Sequence, residues 1–313
     1  MTPGMMNRRT LMTTAAALAA PALVARSSLG QTLRKVKLGS AFTTTTNAMF
    51  LMPDLQRPEG IDTEVITFPS LVQRMQAVAS GSVDVGNGGL SATMQVATKG
   101  LPMSVLANGC DGGWMMLARP GITSFQQLRG KKIGVQNGSI GLVSLNWKLR
   151  HEGVADQVEL LFLDNQDQPV PLARGDVDAI CCFEPYATFA ELSGFGQKQW
   201  VPYDTPMGKT NLGFVASAAF IAKDPGLVRT LVRAHVRATE RMRTDPAIAV
   251  ETTVKQFNMD RAIAEASTKN LFFSAESGEA FQTGLKSLAA MMLADKMLDQ
   301  EPNWAEFINT RFL

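Results

Sequence analysis

Ala79-Ser-Gly-Ser-Val-Asp-Val-Gly86 returns 94 residues later as Ala173-Arg-Gly-Asp-Val-Asp-Ala-Ile180, with Ala, Gly, Val and Asp at the same positions. Two further segments, Lys37-Leu38-Gly39 and Glu64-Val65-Ile66, return at an offset of 95 as Lys132-Ile133-Gly134 and Glu159-Leu160-Leu161. One spacing that is kept across three separate segments predicts two lobes built to the same plan. We therefore expect a cleft between the lobes that can enclose a small ligand.

The first thirty residues differ from the rest of the chain. Arg8 and Arg9 precede an apolar, alanine-rich run over 13–25, and Leu11 lies two positions after the arginine pair. A basic start followed by a short apolar run is typical of an export signal, and the arginine pair indicates the twin-arginine route. We therefore expect residues 1–30 to hold an export signal that is cleaved after Ala25 or after Gly30, and the mature protein to be periplasmic. An ordinary Sec signal or a lipid-free anchor is the alternative.

The charge of the remaining chain is close to balance. The 313 residues include 30 basic and 28 acidic side chains, and the predicted signal contains Arg8, Arg9 and Arg26 but no acidic residue. Its removal leaves 27 basic against 28 acidic side chains, a net charge of −1. Since nucleic-acid binding needs a basic surface, we expect no nucleic-acid partner.

The composition also argues against disulfide and metal chemistry. Cys110, Cys181 and Cys182 are too few for a disulfide framework, and we expect them to be buried free thiols. The histidines, His151 and His235, lie apart from cysteine and acidic clusters, so we predict no metal site. We likewise expect no cofactor, no catalytic residues and a monomer.

Short apolar runs alternate with helical patterns along the chain. The runs 36–41 and 63–68 predict strands, and Ser70 is expected to cap a helix that carries Leu71, Met75 and Val78 on one face. The second lobe repeats this alternation up to about residue 192. Buried strands that alternate with helices are typical of a parallel sheet wrapped by helices, so we predict an α/β fold.

Two extended segments, 112–118 and 212–221, are expected to cross between the lobes as a hinge. We assign residues 31–112 and 220–313 to the first lobe, and residues 113–219, with the hinge segments, to the second. Asp224-Pro225 and Asp245-Pro246 each predict a helix start with a capping aspartate and a first-turn proline. The resulting helical tail should pack on the first lobe.

Several motifs, taken in order, resemble one family. Residues 81–89 read Gly-Ser-Val-Asp-Val-Gly-Asn-Gly-Gly, residues 125–135 read Phe-Gln-Gln-Leu-Arg-Gly-Lys-Lys-Ile-Gly-Val, and residues 183–186 read Phe-Glu-Pro-Tyr. Together they resemble the periplasmic binding proteins of ABC importers for nitrate, sulfonates and taurine, whose relatives bind pyrimidine precursors of thiamine. The resemblance covers about residues 36–224. It implies a two-lobe Venus-flytrap fold with two hinge crossings that hands a small molecule to an ABC permease of the inner membrane, without catalysis.

Four strand-to-helix turns should face the predicted cleft, because the carboxyl ends of strands favour ligand binding in α/β folds. Hydroxyls at a helix start, glycines that bring the backbone close, and free amides at a helix N-terminus can all hold an anion. We predict ligand contacts from Ser40, Thr43, Thr44, Thr45, Asn47, Gly88, Gly89, Ser91, Asn137, Gly138 and Ser139. A purely structural role, as a helix cap or a tight turn, is the alternative.

Glu184 follows a predicted strand and precedes Pro185. A carboxylate there would need a donor, which could be a ligand amine, the edge of an amidine-like ring or a side chain that closes the lobes. Asp111, Trp114 and Asn211 of the hinge segments complete the predicted site, where Trp114 would stack on a ring or pack between the lobes. The sequence offers no obvious arginine in the cleft, which weakens the case for a doubly charged anion.

The main hypothesis is a binding protein for a small anionic or zwitterionic ligand, such as a sulfonate, taurine or nitrate. The alternative is a pyrimidine or related heteroaromatic ligand, which Glu184 and Trp114 favour. An enzyme of the same fold is a remote alternative. Residues 179–184 partly resemble the cysteine-rich segment of this fold's pyrimidine synthases, but residues 63–76, where their cofactor lysine and donor histidine would be sought, contain neither lysine nor histidine.

Overall fold

Residues 33–313 are the part of the chain that this computed structural model describes, and the predicted export signal lies outside it. The strands are β1 (Arg34–Ser40), β2 (Ile61–Thr67), β3 (Val85–Gly89), β4 (Met103–Gly112), β5 (Trp114–Ala118), β6 (Lys132–Val135), β7 (Glu159–Phe162), β8 (Ala179–Phe183), β9 (Gln197–Trp200), β10 (Leu212–Ser217) and β11 (Leu271–Phe272). The helices are α1 (Asn47–Gln56), α2 (Leu71–Ser80), α3 (Leu90–Thr98), α4 (Ile140–His151), α5 (Pro169–Arg174), α6 (Tyr186–Leu192), α7 (Ala218–Lys223), α8 (Pro225–Thr244), α9 (Pro246–Phe257), α10 (Arg261–Thr268), α11 (Glu279–Ala294) and α12 (Trp304–Phe307).

The repeated motif occupies matching places in two sheets. Their strand orders are β11-β4-β10-β3-β1-β2 and β7-β6-β8-β5-β9. In the first sheet the backbone N–H of Lys37 donates to Oδ2 of Asp84 at 2.8 Å, and in the second that of Lys132 donates to Oδ2 of Asp178 at 3.0 Å. The repeated aspartate therefore joins the segment before β3 to β1 in the first sheet, and the segment before β8 to β6 in the second. The α/β class and two sheets of one plan are confirmed.

The sheets are mixed, so the expectation of a parallel sheet is only partly right. β1 pairs in parallel with β2 and β3, and β6 with β7 and β8. β10 is antiparallel to β3 and β4, and β5 is antiparallel to β8 and β9. The physical reason is that β5 and β10 enter their sheets directly from the other lobe, without the crossover helix that a parallel neighbour needs.

The two crossings differ in length. β4 ends at Gly112 and β5 begins at Trp114, so Gly113 alone links the sheets there. Gly112 and Gly113 have φ angles of 75° and 85°, in the left-handed region that glycine enters without strain. The return runs from β9 to β10, and Leu212–Ser217 is a strand of the first sheet rather than the crossing itself. The lobe boundaries assigned above stay a prediction.

The predicted helix caps are present. Ser70 and Ser139 accept from the backbone N–H groups of Gln73 and Leu142. Asp224 caps α8 by accepting from Leu227, and Asp245 caps α9 by accepting from Ala247. These bonds satisfy N–H groups that a helix start leaves free.

The helical tail covers the first sheet and reaches further. Leu227, Val228 and Leu231 of α8 share a buried core with Leu38 of β1 and Met49 of α1. Helix α11 contacts both α3 and α4, so the tail also touches the second lobe. The expected packing on the first lobe therefore describes α8, whereas α11 contacts α3 of the first lobe and α4 of the second.

β9 is not predicted by the pattern, because Gln197, Lys198 and Gln199 are polar and the strand lies at the edge of its sheet. Within residues 33–313, no helix combines the length and the apolar character that crossing a membrane requires.

Candidate ligand-binding site

A small cavity lies between the two sheets, where strands of both present their ends. The lining residues are Ala41, Phe42, Thr43, Phe68, Pro69, Leu71, Arg74, Gly89, Trp114, Gln136, Ile140, Asn165, Gln166, Phe183, Asn211 and Leu212. The first sheet supplies the turns after β1 and β2, the end of β3 and the start of β10; the second supplies the start of β5, the end of β8 and the turns after β6 and β7. The volume of this cavity that is open to the centres of water-sized molecules is about 40 Å³. This volume is enough for more than one water molecule.

Among residues 33–313, Arg74 is the one charged side chain in this lining. It is 4% exposed, and its Nε has no hydrogen-bond partner within residues 33–313. Burial lowers the pKa of Arg74 to about 10. A buried charge without a partner is costly, so the arrangement suits a site in which the ligand supplies the negative charge. This finding corrects the expectation that the cleft lacks an arginine.

The position of Arg74 follows from the geometry of α2. Leu71, Arg74 and Val78 lie three and four residues apart, which places them on one face of a helix, and all three are buried. Gly39 of β1 makes room for the arginine, because a β-carbon there would lie 3.4 Å from Cγ of Arg74 and 3.2 Å from Val83. The signal in the sequence is the single charge of Arg74 on a helix face whose other residues are apolar.

Trp114 forms part of the wall and has its polar atom satisfied by the protein. Its Nε1–H donates to Oδ1 of Asn211 at 3.1 Å, and Nδ2 of Asn211 donates to the carbonyl of Gly112 at 2.7 Å. The indole packs on Phe183 with ring centroids 4.7 Å apart. It also lies directly over Gly141 of α4, where a β-carbon would come within 2.4 Å of the ring. Trp114 therefore packs on Phe183 and Gly141 of the second lobe and is tied through Asn211 to Gly112, where β4 ends.

The amide side chains of the second lobe bond mainly to one another. Nδ2 of Asn165 donates to Oε1 of Gln136 at 2.9 Å, and Nε2 of Gln136 donates to Asp164 at 3.0 Å. Oδ1 of Asn165 accepts from Gln168 at 3.3 Å. These bonds hold the two amides in place and use much of their bonding capacity.

Four of the residues predicted from sequence line the cavity: Thr43, Gly89, Trp114 and Asn211. The others lie outside the lining: Ser40, Thr44, Thr45, Asn47, Gly88, Ser91, Asp111, Asn137, Gly138, Ser139 and Glu184. Several of these have structural partners. The Ser91 hydroxyl donates to the Gly138 carbonyl at 2.7 Å, and Nδ2 of Asn47 donates to Ala249 and Thr253. Their contact with a ligand stays a prediction.

Glu184 is fully buried beside the site and is held by protein donors. Its carboxylate accepts from the hydroxyl and the backbone N–H of Thr188 at 2.8 and 3.0 Å, and from Nδ2 of Asn270 at 2.6 Å. Burial raises the pKa of Glu184 to about 7, and the hydrogen bonds from Thr188 and Asn270 partly oppose this rise. Asn270 precedes β11 of the first sheet, so Glu184 makes a bond between the lobes, one of the roles that the sequence left open.

Asp111 and the cysteines lie away from the cavity. Asp111 lines a separate groove with Lys209, Glu276 and Glu279, and burial raises its pKa to about 6. All three cysteines are free and buried, as expected. Burial raises the pKa of Cys181 to about 12 and holds those of Cys110 and Cys182 well above the ordinary thiol value. Within residues 33–313, no group of three or more potential metal-binding side chains comes together.

Solved structures identify the class to which this fold belongs. The chain is similar to a ligand-binding component of an ABC-type import system from Staphylococcus aureus, with a TM-score of 0.81, 14% identity, and coverage of 89% of this chain and 97% of the other. It is also similar to the alkanesulfonate-binding protein SsuA from Xanthomonas axonopodis pv. citri, with a TM-score of 0.74, 18% identity, and coverage of 88% of this chain and 97% of the other. The periplasmic nitrate-binding protein NrtA from Synechocystis PCC 6803 gives a TM-score of 0.77 and 12% identity, with coverage of 90% of this chain and 87% of the other. The fold is therefore that of the periplasmic binding proteins.

The sequence comparison then identifies the family. Residues 57–249 match the family model described as NMT1/THI5 like, and the chain belongs to that family. A protein of Brucella abortus that is named as a binding protein is 26% identical over 219 residues, which cover 69% of this chain and 68% of the relative. The 4-amino-5-hydroxymethyl-2-methylpyrimidine phosphate synthase THI5 of Saccharomyces cerevisiae is 26% identical over 244 residues, covering 70% of each. The relatives of this chain thus include a protein named as a binder and a protein named as a synthase.

Proposed function

We propose that this protein is the solute-binding component of an ABC importer and captures a small anionic ligand by closure of its two lobes. The observation that carries the proposal is the buried Arg74 in the cavity between the sheets, whose Nε has no partner within residues 33–313. A guanidinium group presents several fixed donors and matches an oxyanion in charge and shape. A ligand that touches residues of both lobes would stabilise the closed form over the open one.

We propose a binding role rather than an enzymatic one. Within residues 33–313, the cavity lining contains no cysteine, histidine, lysine, aspartate or glutamate that could serve as a nucleophile or general base. The cysteines are buried elsewhere with raised pKa values, which keeps them as unreactive thiols. Purified protein that shows no pyridoxal absorbance after cofactor supplementation would agree with this; a stoichiometric chromophore would contradict it.

A neutral pyrimidine is the second candidate ligand. Four aromatic side chains line the cavity, Phe42, Phe68, Trp114 and Phe183, and they would suit a heteroaromatic ring. Relatives named as pyrimidine phosphate synthases favour the same reading. Against it, the carboxylate of Glu184 is already bound by Thr188 and Asn270, so it is not free to accept from a ring amine.

Titration calorimetry with Arg74 variants tests the main proposal. The probes are nitrate, 1-propanesulfonate, benzenesulfonate, benzoate and 4-amino-5-hydroxymethyl-2-methylpyrimidine. We expect at least one anion to bind, and Arg74→Gln to weaken it by about 10- to 100-fold, the loss typical of a hydrogen bond to a charged group. Arg74→Lys should recover part of the affinity, and Arg241→Gln, an exposed arginine of α8, should change nothing. Binding of the neutral pyrimidine alone, with Arg74→Gln unaffected, would replace this proposal by the second candidate.

We further propose export by the twin-arginine route and delivery of the ligand to a membrane permease. The motivation is the arginine pair Arg8-Arg9 before an apolar run. Replacing both arginines by lysine keeps the charge but removes the guanidinium groups, and it should stop the mature protein from reaching the periplasm. Undiminished mature protein in the periplasm of this variant would indicate the Sec route.

A further inference from the structure

We infer that the ligand is a singly charged oxyanion carried on an uncharged aromatic ring, and not a zwitterion. The inference rests on the proposed function and specifies the class of molecule that the same cavity takes. Three properties of the lining carry it: its charge, the state of its amides and its aromatic content.

The charge of the lining matches one negative charge. Within residues 33–313, Arg74 is the sole charged residue that lines the cavity, and its buried Nε has no hydrogen-bond partner there. A dianion would leave one of its charges without a counter-charge in a buried place. A zwitterion would place an ammonium group in a lining that, within residues 33–313, includes no carboxylate, and a buried charge without a counter-charge is costly. A single anionic head is the one that balances Arg74.

The neutral polar residues of the lining are largely occupied by the protein. Asn211 uses its carbonyl oxygen for Trp114 and its amide nitrogen for Gly112. Gln136 is bonded at both ends, to Asn165 and Asp164, and the hydroxyl of Thr43 lies 3.2 Å from that of Thr45. Apart from the amide of Gln166, which makes no side-chain hydrogen bond within residues 33–313, few free donors and acceptors of these side chains remain for a second polar group. Beyond its head, the ligand therefore needs a body that forms few hydrogen bonds.

Aromatic side chains supply the walls for such a body. Phe68, Trp114 and Phe183 line the cavity from both lobes, and Phe42 is 42% exposed and braced edge-on against Phe257 with centroids 6.2 Å apart. Aromatic walls favour a flat ring through stacking and edge contacts. A flexible aliphatic chain would lose more conformational freedom and gain less contact area in the same space. The geometry thus favours an arene that bears one carboxylate or sulfonate group.

A matched set of ligands tests this by titration calorimetry on the full mature protein. 1-Propanesulfonate and taurine have nearly the same shape and differ by a methyl group against an ammonium group. Benzenesulfonate and benzoate keep a single charge and add a ring. We expect at least one of the two arenes to bind about 10-fold or more tightly than 1-propanesulfonate, and taurine to bind more weakly than 1-propanesulfonate. Phe68→Leu, checked for an unchanged melting temperature, should reduce the preference for the arene.

The outcomes separate this inference from the proposed function. If taurine binds as tightly as 1-propanesulfonate, or 1-propanesulfonate as tightly as the better arene, while Arg74→Gln still removes binding, the inference is wrong and the proposed function stands. If none of nitrate, 1-propanesulfonate, benzenesulfonate and benzoate binds, or if Arg74→Gln leaves their affinities unchanged, both are wrong; if nitrate alone binds, only the inference is wrong. If Phe68→Leu lowers the melting temperature, Phe68→Tyr is measured in its place. Phe68→Tyr keeps an aromatic ring and should therefore keep the preference for the arene. Loss of that preference in Phe68→Tyr would overturn the role given to the ring of Phe68.

Discussion

Asn270 donates a hydrogen bond from Nδ2 to Oε1 of Glu184 at 2.6 Å, and this bond joins the two lobes. Glu184 follows β8 of the second sheet, whereas Asn270 precedes β11 of the first. The same carboxylate accepts two bonds from Thr188 of its own lobe, which fix its orientation. Glu184 is therefore positioned to hold the lobes together from outside the cavity lining.

Glu184→Ala should weaken ligand binding and leave the lobes more open. The variant loses the bond to Asn270 in the closed form, and hydrogen bonds to a charged group contribute about 1.5–3 kcal/mol. Small-angle scattering with and without a saturating anion, together with calorimetry, measures both effects. Asn270→Ala should give the same phenotype because it removes the other half of the bond, and Glu191→Ala on α6 serves as the control. Unchanged affinity and unchanged profiles in both variants would refute the closing role of this pair.

The raised pKa of Glu184 should make stability depend on pH. Its folded pKa of about 7 lies above its ordinary value of 4.5, so the folded protein holds the proton more tightly than the unfolded chain. The stability from this group is therefore complete below about pH 4.5 and is lost as pH rises through about 7, by about 3 kcal/mol in total. Glu184→Gln, which cannot titrate, should lack this slope.

Denaturant unfolding of the wild type and Glu184→Gln at pH 5, 6, 7 and 8 measures the difference between the two proteins. Asp111, with a pKa raised to about 6, adds a slope of the same sign, and His235, with a pKa lowered by burial to about 4, adds one of opposite sign. Both groups are present in the two proteins, so their contributions cancel in the difference. Parallel pH profiles would show that Glu184 does not titrate in this window.

The sequence predicts much of the fold because the repeated motifs carry local signals. Asp84 and Asp178 stand at equivalent places in the repeat and make equivalent bonds to Lys37 and Lys132. The order of strands in each sheet is less accessible from sequence. β10 lies between β3 and β4 although more than ninety residues separate it from either, and the periodicity of a strand does not encode its neighbours.

The candidate site is predicted only in part, because the local pattern of a segment does not say which other elements it packs against. Thr43, Gly89, Trp114 and Asn211 belong to the lining and lie at the ends of strands or in the turns beside them, where the pattern points. Arg74 lies inside a helix, where a charge is ordinarily solvent-exposed, so its role depends on what α2 packs against. The feature of the sequence that indicates burial of Arg74 is its place on the apolar face of α2, three residues after Leu71.

Gly141→Ala should disturb the wall formed by Trp114. A β-carbon at this position would come within 2.4 Å of the indole ring, which is rigid and is held by Asn211. We expect a loss of about 1–3 kcal/mol in the free energy of unfolding, as for other overpacking substitutions, and a changed tryptophan emission spectrum. Gly226→Ala in α8 is the matched control, since its β-carbon would meet no atom closer than 3.5 Å, and it should be neutral or slightly stabilising. Equal melting temperatures for both variants would show that Trp114 can move freely.

Arg74→Met should make the ligand-free protein more stable while abolishing anion binding. The substitution replaces a buried charge, unpaired within residues 33–313, by an apolar side chain of similar length in a wall that already contains Leu71 and Phe68. Replacing buried charges by apolar groups is often neutral or stabilising, and here we expect a gain of about 1–3 kcal/mol because no ion pair is lost. Denaturant unfolding without ligand measures the gain, and Arg241→Met, an exposed arginine on α8, should stay within about 0.5 kcal/mol of the wild type. A clear loss of stability in Arg74→Met, with Arg241→Met unchanged, would show that Arg74 supports the fold rather than waiting for an anion.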